Sequence, residues 1–103
     1  MTVIVIAGTA RVRSEERARA VEAARVMAAA SRAEDGCRQY RFSADLDDPN
    51  VVHVFEEWDS AEALDLHFAT PHMAEFQTAL GAVLDGSPEI TRFEVAAAGP
   101  LFA

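Results

Sequence analysis

Two strand-like runs, 37–46 with Tyr40 and Phe42 and the β-branched and aromatic run 51–58, flank the tetrapeptide Asp47-Asp48-Pro49-Asn50, and this hairpin signature constrains the fold more than any other feature. Proline fixes φ, and Asp and Asn side chains bond to backbone groups nearby, so the tetrapeptide turns the chain and the two runs pair antiparallel. A lone two-stranded hairpin is marginal in water and must bury one face against other elements. The flanking sequence has to supply them.

It supplies a strand and a helix on each side. Residues 3–12, opening with the β-branched run 3–6, read as a first strand buried on both faces. Ser14, followed by Glu15 and Glu16, reads as a helix start: the hydroxyl caps free N–H groups and the acids suit the positive end of the dipole. That helix runs to about Ala33, with Ala18, Val21, Ala24, Met27 and Ala28 as its apolar face. Glu34-Asp35-Gly36 ends it, glycine taking the left-handed conformation that often follows a helix. After the hairpin, Asp59-Ser60 opens a second helical region, either side chain serving as cap. Thr70-Pro71 restarts it, because proline suits the first helical position but disfavours helical geometry in the residue before it. Met73, Phe76, Leu80 and Val83 form the apolar stripe of the restarted helix, and Gly86-Ser87-Pro88 ends it. Residues 90–97 read as a last strand, with Thr91, Phe93 and Val95 alternating against Arg92 and Glu94.

The order βαββαβ is the split βαβ arrangement of ferredoxin-like α+β folds with an antiparallel sheet. Its helices cover one sheet face only, so a second copy is expected over the other, making a homodimer. The 103 residues are enough for one domain, 1–103, and 50% apolar with 25% charged residues is a globular balance rather than a disordered one. Nine basic against seventeen acidic residues give a net charge of −8, which repels a phosphate backbone and argues against nucleic acid as a partner. The single cysteine, Cys37, cannot form an internal disulfide or a cysteine-based zinc site, which fits a reducing compartment. Residues 1–7 lack a basic leader region, and no apolar run approaches the roughly 20 residues that span a bilayer. A cytoplasmic protein without membrane association is expected.

Tyr40, His53, Glu56, Trp58, His67 and His72 are the polar and amphipathic side chains set among apolar elements. Alternation along residues 51–58 puts Glu56 and Trp58 on one face and His53 on the other, where a subunit interface is expected. Glu56 is expected to pair with an arginine rather than to act as a base. Trp58 suits either the core or a pocket wall, and His67 either a turn contact or a pocket. His67 and His72 lie five apart across the Thr70-Pro71 break, so spacing leaves their relation open. Cys37 reads as a small strand residue with nothing beside it to activate the thiol. Asp45, Asp47 and Asp48 lack the glycine and terminal glutamate of a calcium loop and read as a solvated turn, and no metal site is expected.

Taken together, Gly36-Cys37-x-x-Tyr40, Asp48-Pro49, Glu56-x-Trp58, Ala63, His67, Thr70-Pro71-His72 and Phe76 resemble the signature of the antibiotic-biosynthesis monooxygenase family. The resemblance implies a dimeric α+β barrel whose subunits each hold a pocket between sheet and helices. It also implies oxygenation of quinol-like or polycyclic aromatic, anthrone-type substrates by molecular oxygen without metal, flavin or haem. An electron-rich phenol or enol, once deprotonated, can give an electron to oxygen itself, so the protein supplies an apolar slot, a base and exclusion of water. Histidine suits the base because its pKa lies near neutrality. On this reading His72, His67 and Trp58 are the catalytic candidates, and Tyr40, Glu56, Met73 and Phe76 hold the substrate. The haem-degrading branch of the family uses an asparagine on the first strand and a histidine in the last helix; here the first strand offers Ala7, Gly8 and Thr9, and the helix after Phe76 contains Gln77 and no histidine. The alternative reading is a non-oxygenase of the same fold that binds or isomerises a small carbonyl metabolite.

Overall fold

The structure, a computed structural model, describes residues 2–102, so the two terminal positions of the expected 1–103 unit lie outside the described residues. Its elements are β1 (Ile4–Arg11), a 3-10 turn (Ser14–Glu16), α1 (Arg17–Arg32), β2 (Cys37–Ala44), β3 (Val51–Trp58), α2 (Ala61–Phe68), α3 (Pro71–Val83) and β4 (Glu89–Glu94). The strands form one antiparallel sheet in the order β2-β3-β1-β4. This is the ferredoxin-like α+β architecture.

Register decides which side chains meet the helices. Ile4 pairs with Trp58, Ile6 with Glu56, and Tyr40 also with Glu56. Directly opposed residues share a sheet face, so these five point together under the helices. Ile4, Ile6, Tyr40 and Trp58 join Met27, Ala28, Ala63 and Leu64 in the main core, and Val12, Ala20 and Val83 close a smaller one. The opposite face carries Val5, Ala7, Phe55 and Phe93, with no layer over it among the described residues. The first strand is therefore buried on one face, not on two, because the chain has only one layer of helices.

Local chemistry accounts for most boundaries. Ser60 Oγ accepts the Ala63 N–H at 3.2 Å, and Thr70 Oγ1 accepts the Met73 N–H at 3.2 Å with Pro71 in the first turn. Gly36 has φ 83°, and a Cβ there would also lie 2.6 Å from that of Ala63. At Gly8 a Cβ would meet the Glu89 carbonyl oxygen at 2.2 Å, so only glycine lets β4 lie this close to β1.

Several features differ from the sequence reading, among them the last strand, which spans Glu89–Glu94 rather than 90–97. Ser14 does not cap α1. The Val12 and Arg13 N–H groups are tied to Asn50 O and Val83 O, and the chain enters the helix through a 3-10 turn. The buried line on α1 is Ala20, Met27, Ala28 and Ser31, with Ala18 exposed, since alanine-rich sequence offers more than one stripe of similar period. The second strand stops at Ala44, where Asp45 accepts the N–H groups of Asp47 and Asp48 and starts the turn.

Candidate active site

A slot of about 150 Å³ opens between the sheet and helices α1 and α3. Tyr40 and Phe42 of β2, Val54 and Glu56 of β3, and Met73 and Phe76 of α3 line it, and Glu56 and Tyr40 carry its only polar side-chain groups. All four residues expected to hold substrate, Tyr40, Glu56, Met73 and Phe76, lie on its walls. The three expected to act on substrate, Trp58, His67 and His72, stand behind the wall instead.

Glu56 is the chemically distinctive member. It is buried, and the Trp58 indole N–H, two residues along the same face, donates to its Oε1 at 3.0 Å. The expected arginine partner is absent among the described residues. Arg32, at the end of α1, donates its Nε–H to the Tyr40 carbonyl at 2.9 Å. Burial pushes the Glu56 carboxyl above its ordinary value, opposed by the Trp58 hydrogen bond, the neighbouring His67 and Tyr40. The Tyr40 phenol is pushed up as well, first by burial and then by Glu56, so it stays neutral. An apolar slot thus meets a carboxyl poised to exchange a proton and a hydroxyl able to donate a hydrogen bond.

Behind Trp58 lies a second layer. The His67 ring packs on Trp58 at 4.6 Å between centroids and 37° between planes, and is 1% exposed. Its Nδ1–H donates to Glu34 Oε2 at 2.7 Å, and His72 Nε2–H donates to the same oxygen at 2.7 Å. Each ring thus presents one nitrogen to a shared carboxylate oxygen. The Thr70-Pro71 break places one histidine at the end of α2 and the other at the start of α3, and the Thr70 hydroxyl donates to the His67 carbonyl at 2.8 Å. Glu34 was legible only as part of a helix stop; no local pattern announces a contact that spans 33 and 38 residues. The donor atoms of Glu34, His67 and His72 lie within 4.8 Å of one another, a two-histidine, one-carboxylate set of the kind that holds zinc. As they stand, hydrogen bonds satisfy them.

The remaining candidates lie elsewhere. His53 projects from the opposite face of the sheet and its Nε2 is 2.8 Å from Asp45 Oδ1, a contact that holds the Asp45 carboxyl below its usual range. Asp45 also anchors the turn, as a solvated turn requires. The Cys37 thiol is pushed up to about 11 by burial and by Glu34, which disfavours the thiolate.

Comparison with known proteins gives one consistent answer. Residues 3–79 match the family model described as antibiotic biosynthesis monooxygenase. The chain is 32% identical over 93 residues to the uncharacterised protein sll1783 of Synechocystis sp., covering 90% of this chain and 63% of that protein. It is 36% identical over 61 residues to Rv0793 of Mycobacterium tuberculosis, provisionally named a monooxygenase, covering 59% of each. These matches span less than two thirds of either relative. The solved structure of Rv0793 superposes with a TM-score of 0.86 at 28% identity, covering 97% of this chain and 100% of that one. A Deinococcus radiodurans structure, provisionally named an antibiotic biosynthesis monooxygenase, superposes with a TM-score of 0.87 at 29% identity, covering 97% and 99%.

Proposed function

Since the chain belongs to the antibiotic biosynthesis monooxygenase family, we propose that it is a cofactor-independent monooxygenase acting with molecular oxygen on a quinol-like or anthrone-type aromatic substrate. The observation that carries this reading is Glu56, the one carboxyl in an otherwise apolar slot, with its affinity for a proton raised by burial. Glu56 takes the proton of the bound phenol or enol, and Tyr40 hydrogen-bonds the oxygen that becomes anionic. The electron-rich anion gives an electron to oxygen and recombines with it at carbon. For an anthrone, one oxygen atom stays on that carbon as the new carbonyl and the other leaves as water.

Met73 and Phe76 wall the flat ring and keep water from the reacting centre. In this reading the sequence candidates Trp58, His67 and His72 are positioning residues: Trp58 fixes the Glu56 oxygen, His67 backs Trp58, and Glu34 holds both histidines. A second copy of the chain covers the open sheet face.

Oxygen uptake with a panel of reduced naphthoquinols and anthrones tests the proposal. Uptake above the uncatalysed rate, lost in Glu56→Gln while the fold is retained by circular dichroism, is the expected result. No stimulated uptake with any member of the panel overturns it in favour of a binding or isomerising role.

A further inference from the structure

The slot does not end at Phe42. A groove of about 410 Å³ between α1 and β2 shares Ala20, Ala24, Phe42 and Val52 with it, so groove and slot form one cleft. The outer part has a different chemistry. Arg17, Arg25 and Arg32 line it, and among the described residues no acidic side chain does, in a chain with seventeen acids and nine arginines. Arg11, Arg19 and Arg38 each pair with a carboxylate, whereas none of the three groove arginines does.

Two of the three are also held in place. Arg17 donates Nε–H to Pro49 O at 2.7 Å and Arg32 donates Nε–H to Tyr40 O at 2.9 Å, which fixes each guanidinium and leaves its terminal N–H groups for another acceptor. Arg25 has no hydrogen-bond partner among the described residues. Arg25 and Arg32, seven residues apart, share a face of α1 about 10 Å apart along its axis, so two long side chains can converge on one anionic group, whereas Arg17 lies about 80° round the helix from Arg25.

We propose that the ligand of this cleft is an aromatic carboxylate, its ring in the slot and its anionic group in the outer groove against Arg25 and Arg32. The inference rests on the slot being the substrate site and adds the substrate's charge. Planar guanidinium forks match a carboxylate, and the apolar alanine floor between them suits the edge of a ring. The net negative field of the chain disfavours such a ligand over much of its surface, which makes an acid-free, arginine-lined entrance selective.

The test is titration calorimetry with 2-naphthoate and its uncharged amide, 2-naphthamide. The carboxylate is expected to bind at least about fivefold more tightly, and its advantage to shrink as salt is raised. Arg25→Gln and Arg32→Gln are each expected to cut that advantage by about threefold or more with little change for the amide, and Arg25→Lys to keep most of it. Equal affinities in the parent protein, an advantage that survives the double Gln variant, or no binding by either probe overturns the proposal. Failure here and failure of the oxygenase reading are distinguishable. Oxygen uptake on neutral quinols without charge preference removes only this inference, and preference for naphthoate without any oxidation removes only the other.

Discussion

Glu56 and Trp58 share a face by strand alternation alone, which the sequence makes plain, but their hydrogen bond and the slot in front of it depend on what α1 and α3 lay over that face. The consequence is measurable. Because burial raises the Glu56 pKa in the folded state, the native protein holds that proton more tightly than the unfolded chain. The stability this brings is complete below the ordinary carboxyl value and is lost as pH rises through the raised one. Glu56→Gln removes the buried charge and keeps an oxygen for the indole N–H. It is expected to melt higher than the parent at about pH 8, with the gap closing toward about pH 4. The same variant is expected to lose about 100-fold or more in kcat, the usual worth of a positioned base. Trp58→Phe withdraws the donor that opposes the shift, so the acidic limb of the rate profile is expected to move to higher pH. An unmoved limb would show that the indole does not tune the carboxyl.

At the scale of elements, punctuation was the readable part. Gly36, Ser60 and Thr70-Pro71 do in the structure what their chemistry requires, because caps and left-handed turns are decided by a residue and its near neighbours. Thr70 has a double role, accepting the Met73 N–H and donating to His67 O. Thr70→Ala is expected to cost about 1 kcal/mol in urea denaturation and to loosen the His67–Glu34–His72 group. Gly8 is different, since its necessity comes from the neighbouring strand rather than from its own φ. Gly8→Ala is expected to cost about 1–3 kcal/mol by driving β4 from β1, read as lowered stability and faster amide exchange along Glu89–Glu94. The phase of the α1 stripe and the failure of Ser14 to cap were not readable. The tethers to Asn50 and Val83 set how the chain enters α1, and the alanine-rich sequence offers more than one stripe.

As a whole the molecule is wide and thin, 42 × 34 × 21 Å, with a radius of gyration of 14.2 Å where a compact chain of this length has about 13 Å. Its 6694 Å² of accessible surface exceeds the roughly 5,700 Å² usual for the mass. Phe55 and Phe93 contribute to that excess on the open sheet face, Phe93 being 49% exposed. A second copy laid on the open face would account for the shape. Light scattering is expected to give twice the chain mass, and the pair Phe55→Arg with Phe93→Arg to give the chain mass with helical signal intact. A parent protein that is monomeric at micromolar concentration would refute the dimer.

Sequence by itself determined the element order, the ferredoxin-like fold and the family, because periodicity and turn chemistry are local and a strand's alternation sorts its side chains without reference to anything else. Only the tertiary structure decided that Glu56 answers to Trp58 instead of an arginine, that two histidines converge on Glu34, and that three arginines border an acid-free groove. Those contacts join residues up to 38 apart, and their partners are selected by which elements pack together. No pattern along the chain records that choice.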